Sequence, residues 1–110
     1  MKLRPIKDKK KIEKIFELGS FFKYGSVAVK FYDFNNSTRE YGVSVPKKTF
    51  PLAVTRNRIK RQVRNCIDDL SKKFSIKNGR SFFIIINHQK PPLYDEIYTG
   101  LSSVFEKLST

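Results

Sequence analysis

The sequence predicts an α+β fold, a two-layer α/β sandwich of three helices on a central four-stranded sheet. Three observations lead there. Hydrophobic periodicity changes along the chain in the order helix, strands, helix, strand, helix. The stretch 40–87 reads as strand, long helix, strand, the form of a βαβ unit. The chain has 110 residues, 39% of them apolar, with 10 Phe and 5 Tyr. That is enough for one domain, 1–110, with a real core and a radius of gyration of roughly 13 Å, and too apolar for disorder.

Each element has its own signal. Lys9 to Leu18 places Ile12, Ile15 and Phe16 on one helical face, with Asp8 as N-cap and Gly19 as stop. Phe21 to Tyr24 reads as a short strand leading into Ser26 to Tyr32, where Val27, Val29 and Phe31 alternate with Ala28, Lys30 and Tyr32. Asn35-Asn36-Ser37 is a turn, and Arg39 to Val45 a further strand that buries Tyr41, Val43 and Val45. Pro46 ends it. A long helix is expected from about Thr55, a suitable N-cap, to Phe74, with Ile59, Val63, Cys66, Ile67, Leu70 and Phe74 as its apolar stripe. Asn78-Gly79 closes it. Phe82 to Asn87 begins with five apolar residues, which fits a strand buried on both faces. After Pro91-Pro92, a last helix from Tyr94 to Leu108 carries Ile97, Leu101, Val104, Phe105 and Leu108.

Charge points to the partner. There are 23 Lys and Arg against 10 Asp and Glu, a net charge of +13. Self-repulsion of that size destabilises a compact state unless a polyanion offsets it. From Pro46 to Arg64 stand Lys47, Lys48, Arg56, Arg58, Lys60, Arg61 and Arg64, with no acid among them, whereas 65–110 mixes six basic with five acidic residues. Solvated faces mix signs. On a wheel with Ile59 at zero, Asn57, Lys60, Arg61 and Arg64 fall at about 100–200° and Arg58 near 260°, off the apolar stripe. Arg56 falls under that stripe but in the first turn, free to project past the core. The helix N-terminus adds unpaired N–H groups and positive dipole. Four arginines to one lysine in the part of this patch on the helix favour bidentate phosphate contacts and base stacking, and so nucleic acid over a lipid surface.

Other classes are excluded. The longest apolar run is five residues, too short to span a bilayer. The start, Met1-Lys2-Leu3-Arg4-Pro5, has no hydrophobic signal region, and the single Cys66 permits no internal disulfide, so a reducing, cytoplasmic setting is expected. Catalysis by the polypeptide is not expected. His88 is the only histidine, and the adjacent acids Asp68-Asp69 and Asp95-Glu96 point about 100° apart on their helices.

Arg56-Asn57-Arg58-Ile59-Lys60-Arg61-Gln62-Val63-Arg64, preceded by Gly42-Val43-Ser44-Val45-Pro46-Lys47-Lys48, closely resembles the signature of the bacterial ribonuclease P protein component. The resemblance covers nearly the whole chain. It implies an accessory subunit of a catalytic RNA, in a holoenzyme that removes the 5′ leader of precursor tRNA with Mg²⁺ held mainly by the RNA, and no required protein partner. It implies a ribosomal protein S5 domain 2-like fold with a left-handed βαβ crossover, where general physics would make the crossover right-handed. It implies that Lys47, Lys48, Arg56, Asn57, Arg58, Lys60, Arg61 and Arg64 dock on the catalytic RNA. It also places a cleft for the single-stranded leader at Ile12, Phe16, Ala28 and Lys30. Lys30 stands where the family often has an aromatic residue, a role Tyr32 or Tyr24 can take. Independently of the family, Phe16, Phe21, Phe22, Tyr24 and Tyr32 interleave with Lys14, Lys23 and Lys30, the mixture that holds single strands. The alternative is a non-catalytic RNA- or ribosome-binding protein of similar fold. A helix-turn-helix DNA binder is disfavoured because strands, not a partner helix, precede the arginine helix.

Overall fold

Eight elements follow one another: β1 (Arg4–Pro5), α1 (Lys9–Leu18), β2 (Ser20–Tyr24), β3 (Val27–Asp33), β4 (Glu40–Ser44), α2 (Ala53–Lys73), β5 (Arg80–Ile86) and α3 (Tyr94–Leu108). The structure is a computed structural model and describes residues 3–86, 88 and 90–110. The expected last residue of the final strand, Asn87, and Met1-Lys2 of the start lie outside the described residues.

The strands form one sheet in the order β1-β4-β5-β3-β2. β4 runs parallel to β5, joined by α2 as the βαβ pattern requires, and β3 lies antiparallel to both β5 and β2. The sheet has five strands where four were expected. The fifth is β1, parallel to β4 with Arg4 against Glu40 and Pro5 against Tyr41. The Arg4 and Ile6 N–H groups donate to the carbonyls of Arg39 and Tyr41, so the nitrogen of Pro5, which has no proton, faces away from the sheet.

Alternation decides what each face does. Val27 and Val29 of β3 and Phe82, Ile84 and Ile86 of β5 are buried under α2 and α3, together with Ile59, Val63, Cys66, Ile67 and Leu70 of α2 and the whole expected stripe of α3. Phe82 sits at the centre, with ring centroids 6.2 Å from Tyr41 and 5.9 Å from Phe105. The strand Arg80–Ile86 is not buried on both faces. Phe83 and Ile85 point to the opposite face and are only half-buried, because that face is covered by one short helix, α1.

α2 starts at Ala53, two residues before the expectation, with Leu52 as N-cap and no side-chain cap. Thr55 is inside the first turn. Pro51 sets the extended entry, and Phe50, 4% exposed, fastens the preceding loop to the core. The helix also ends early. Phe74 is its C-cap, and Ile76 packs into the core before the Asn78-Gly79 turn, where Gly79 has φ 86°.

α1 is capped as its sequence suggests, with Asp8 Oδ1 accepting from the Lys10 N–H at 2.9 Å. It passes into β2 through one residue. A Cβ on Gly19 would collide with the Ile15 carbonyl oxygen and stand 2.8 Å from that of Phe31. With φ −69° and ψ 153°, the requirement for glycine is steric, not torsional. Gly19→Ala is therefore expected to destabilise the protein by about 1–3 kcal/mol, as overpacking does. Urea unfolding at equilibrium checks this, and an unchanged midpoint would contradict it.

Candidate nucleic-acid interface

The first half of α2 carries the cationic surface. Asn57, Arg58, Arg61 and Arg64 are exposed, Lys60 is half-buried, and Lys47 and Lys48 are exposed in the turn that precedes the helix. Among the described residues, none of these six cations forms an ion pair or a side-chain hydrogen bond; the ion pairs present are Lys11–Glu40 at 2.7 Å and Lys73–Asp69 at 3.5 Å. Like charges at i, i+4 such as Lys60/Arg64 then repel without local relief until an anion arrives. The uncapped N-terminus places its free N–H groups at the same end.

Arg56 behaves differently. Its Nη1 donates to the carbonyls of Phe50 at 2.8 Å and Pro51 at 2.9 Å. It ties the Lys47-Lys48 loop to the helix and turns part of its fork away from a partner. The other end of α2 is fastened to α3. The Tyr98 hydroxyl donates to Asp69 Oδ2, and Lys73 Nζ donates to that hydroxyl at 2.8 Å. The hydrogen bond from Tyr98, with Lys73 nearby, holds the Asp69 carboxyl below its ordinary range. Asp69 is thus a structural link between α2 and α3.

The second surface is the sheet face that carries α1. Ile15 is wholly buried beneath the helix, Ile12 is half-buried, and Phe16 is 37% exposed. Below Phe16 the floor is set by register. Lys30 lies opposite Phe83, and Phe83 beside Gly42; in the next row Ala28 lies opposite Ile85, and Ile85 beside Ser44. The Phe16 and Phe83 rings are 5.1 Å apart. Lys30 Nζ donates to the Phe16 carbonyl at 2.8 Å and sits 5.5 Å from its ring centroid. It closes the C-terminal end of α1, where a cation suits the helix dipole. Phe83 lies flat across the strand because Gly42 has no Cβ; one there would collide with the ring.

The two surfaces meet at the open edge of β4. A groove of about 400 Å³ there is lined by Ile6, Gly42, Val43, Phe83 and Arg64, so the arginine helix and the floor of the cleft share a boundary. Another cavity, of about 500 Å³, lies between the β2–β3 turn and α3 and includes Asp95 and Glu96, the wrong sign for a phosphate. Cys66 is buried, which pushes its thiol up. His88 is exposed, its Nδ1 lying 3.0 Å from the Lys90 carbonyl oxygen. Among the described residues no helix is long and apolar enough to cross a membrane.

The sequence model of the family described as Ribonuclease P matches residues 1–109. The chain belongs to the ribonuclease P protein family. It is 38% identical over 79 residues to the ribonuclease P protein component of Mesomycoplasma hyopneumoniae, covering 71% of this chain and 70% of that protein. It is 29% identical over 96 residues to the component from Pseudanabaena, covering 86% and 81%. Its fold is similar to the Staphylococcus aureus RNase P protein, with TM-score 0.79 and 23% identity over 99% of this chain and 100% of that one. The Thermotoga maritima RNase P protein also gives 0.79, at 17% identity over 97% and 99%. The protein is a subunit of the ribonucleoprotein enzyme that matures tRNA 5′ ends, and its partner there is RNA.

Of the expected cleft residues of this ribonuclease P protein, Phe16 and Lys30 touch, Ala28 shares the Lys30 face of β3 but is buried in the floor, and Ile12 is half-buried one turn before Phe16. Tyr32 is one row further along, edge-on to Phe34 with centroids 4.9 Å apart. Tyr24 points to the opposite face and packs on the core, so it cannot replace an aromatic at Lys30. Phe83 was missed as a floor residue. The alternation of a half-covered strand was its signal, hidden in a continuous apolar run.

Proposed function

We propose that the two surfaces divide the work of the subunit. The cationic edge of α2, with Lys47 and Lys48, docks on the ribonuclease P RNA, and the face under α1 takes the single-stranded 5′ leader of precursor tRNA. The observation that carries this reading is the run of unpaired cations on one helix edge, beside a second surface of aromatic rings and lysine. Duplex backbone suits the first and splayed bases suit the second. Arg58, Arg61 and Arg64 supply forked contacts to phosphates. Phe16 and Phe83 supply ring surface, and Lys30 supplies a cation beside them.

Mg²⁺ belongs to the RNA side in this reading. This chain's contribution in that reading is to bind and orient the RNA partners. A cytoplasmic setting fits the single buried thiol.

The test is reconstitution at low Mg²⁺ with ribonuclease P RNA and a precursor tRNA labelled in its leader. Protein-dependent stimulation of leader release is expected, with none from protein alone. In the same assay Phe16→Ala is expected to weaken precursor binding roughly tenfold, in line with the loss of one base–aromatic stack, and to leave mature tRNA unaffected. Equal loss on both would remove Phe16 from the leader site.

A further inference from the structure

β2 carries two adjacent phenylalanines with opposite fates. Phe22 turns to the core side, its ring 5.8 Å from Phe31 and covered by Lys107 Nζ at 4.8 Å. Phe21 turns to the face that bears α1 and is 53% exposed. Among the described residues it has no ring or cation partner. Register places it directly opposite Lys30, and Lys30 directly opposite Phe83. One row across the sheet therefore reads Phe21, Lys30, Phe83, Gly42. Lys23 and Ala28 begin the next row.

We propose that Phe21 is a second stacking platform for the leader, extending its binding site from the cleft across β3 onto the β2 edge. This rests on the reading that the face under α1 takes the leader. Adjacent strands are about 4.8 Å apart, so Phe21 and Phe83 are separated by about 10 Å at the backbone. A stacked step spans only about 3.4 Å, so bases on the two platforms are splayed apart, the form in which proteins hold single-stranded RNA. The phosphate between them lies over Lys30. That ammonium has three N–H donors and gives one to the Phe16 carbonyl, which leaves donors for the phosphate. Lys23, exposed in the next row, adds a second cation on the path of the strand. Lys30 thus serves as the phosphate clamp of a site whose aromatics stand on either side of it, on β2 and β5.

The occupant is RNA rather than a second copy of this chain. The edge carries Lys23 beside Lys30, so two like edges brought together would repel. The two occupants make different predictions.

The experiment uses the holoenzyme reconstituted with ribonuclease P RNA and precursors whose leaders lengthen from two to ten nucleotides. Phe21→Ala is expected to cost roughly tenfold in affinity for long leaders, as loss of one base stack does. It is expected to leave the shortest leaders and mature tRNA unchanged, and Phe21→Tyr is expected to restore binding. A photoreactive base moved along the leader should crosslink to Phe21 at positions more distal than those that crosslink to Phe16. No loss, a loss independent of leader length, or a shift in sedimentation of the free protein without a leader effect overturns the proposal. Phe16→Ala run alongside separates the two readings. If it shows a leader effect and Phe21→Ala does not, only this extension fails; if neither does, both fail.

Discussion

Reversing Arg58 and Arg61 together to glutamate is expected to reduce binding to ribonuclease P RNA roughly 10²–10⁴-fold and leave the folded structure intact. Each exposed guanidinium makes charge-assisted hydrogen bonds of about 1.5–3 kcal/mol to a phosphate, and two are lost. Neither side chain lies on the buried stripe of Ile59, Val63, Cys66, Ile67 and Leu70, and neither has a side-chain partner among the described residues. Reversal even removes local repulsion, so unfolding by heat should move little. The slope of log K against log salt should become shallower by about 1.5, two contacts at about 0.7–0.9 each. Titration of the labelled RNA at several salt concentrations reads both quantities, and an unchanged affinity would remove α2 from the RNA interface. Arg56→Ala should look different. Its Nη1 holds the Phe50 and Pro51 carbonyls, so its loss loosens the loop and lowers stability as well as affinity.

Phe82→Ala is expected to have the largest effect on the fold, costing about 3–5 kcal/mol. Phe82 is fully buried on the central parallel strand, and its ring touches both Tyr41 of the sheet and Phe105 of α3. Truncation leaves a cavity where the two layers join. Domains of this size are stable by about 5–15 kcal/mol, so the variant is near the threshold for folding at growth temperature. Urea unfolding measures the loss. Saturating RNA should restore part of the folded population, because it binds only the native state. Phe21→Ala, on an exposed ring, should show no comparable loss, and that contrast separates core from contact surface.

How much of this was readable beforehand depended on the kind of signal. α1 and α3 were placed at their observed limits because a 3.6-residue stripe with a cap or a proline break leaves little freedom. The arginine edge was readable because unmixed charge needs no tertiary information. β1 was not, since two residues have no period, and its pairing depends on where β4 ends up. Thr55 misplaced the start of α2 because its side chain suits a cap, while the outcome was set by Pro51 and the burial of Phe50, four and five residues earlier. The diversion of Arg56 depends on carbonyls that only the folded loop presents. Phe83 was hidden, whereas Phe21 stood among the candidate stacking rings with its face undecided. One sits in an unbroken apolar run that reads as core on both sides. The other sits in a pair, Phe21-Phe22, too short to show alternation.

The two-residue strand β1 also governs how the free subunit keeps. An unpaired sheet edge invites another chain to add a strand, and from there to grow fibres. Here the β4 flank is taken up, at its exposed start, by a strand too short to extend, in which the Pro5 nitrogen offers no proton to a newcomer. The opposite flank, β2, presents Lys23 to solvent and ends in the Gly25 turn. A copy made before its RNA is at hand therefore offers a neighbour fewer unpaired backbone groups to zip onto. Truncating residues 1–6 would turn a storable subunit into one that must be assembled promptly or lost to precipitation.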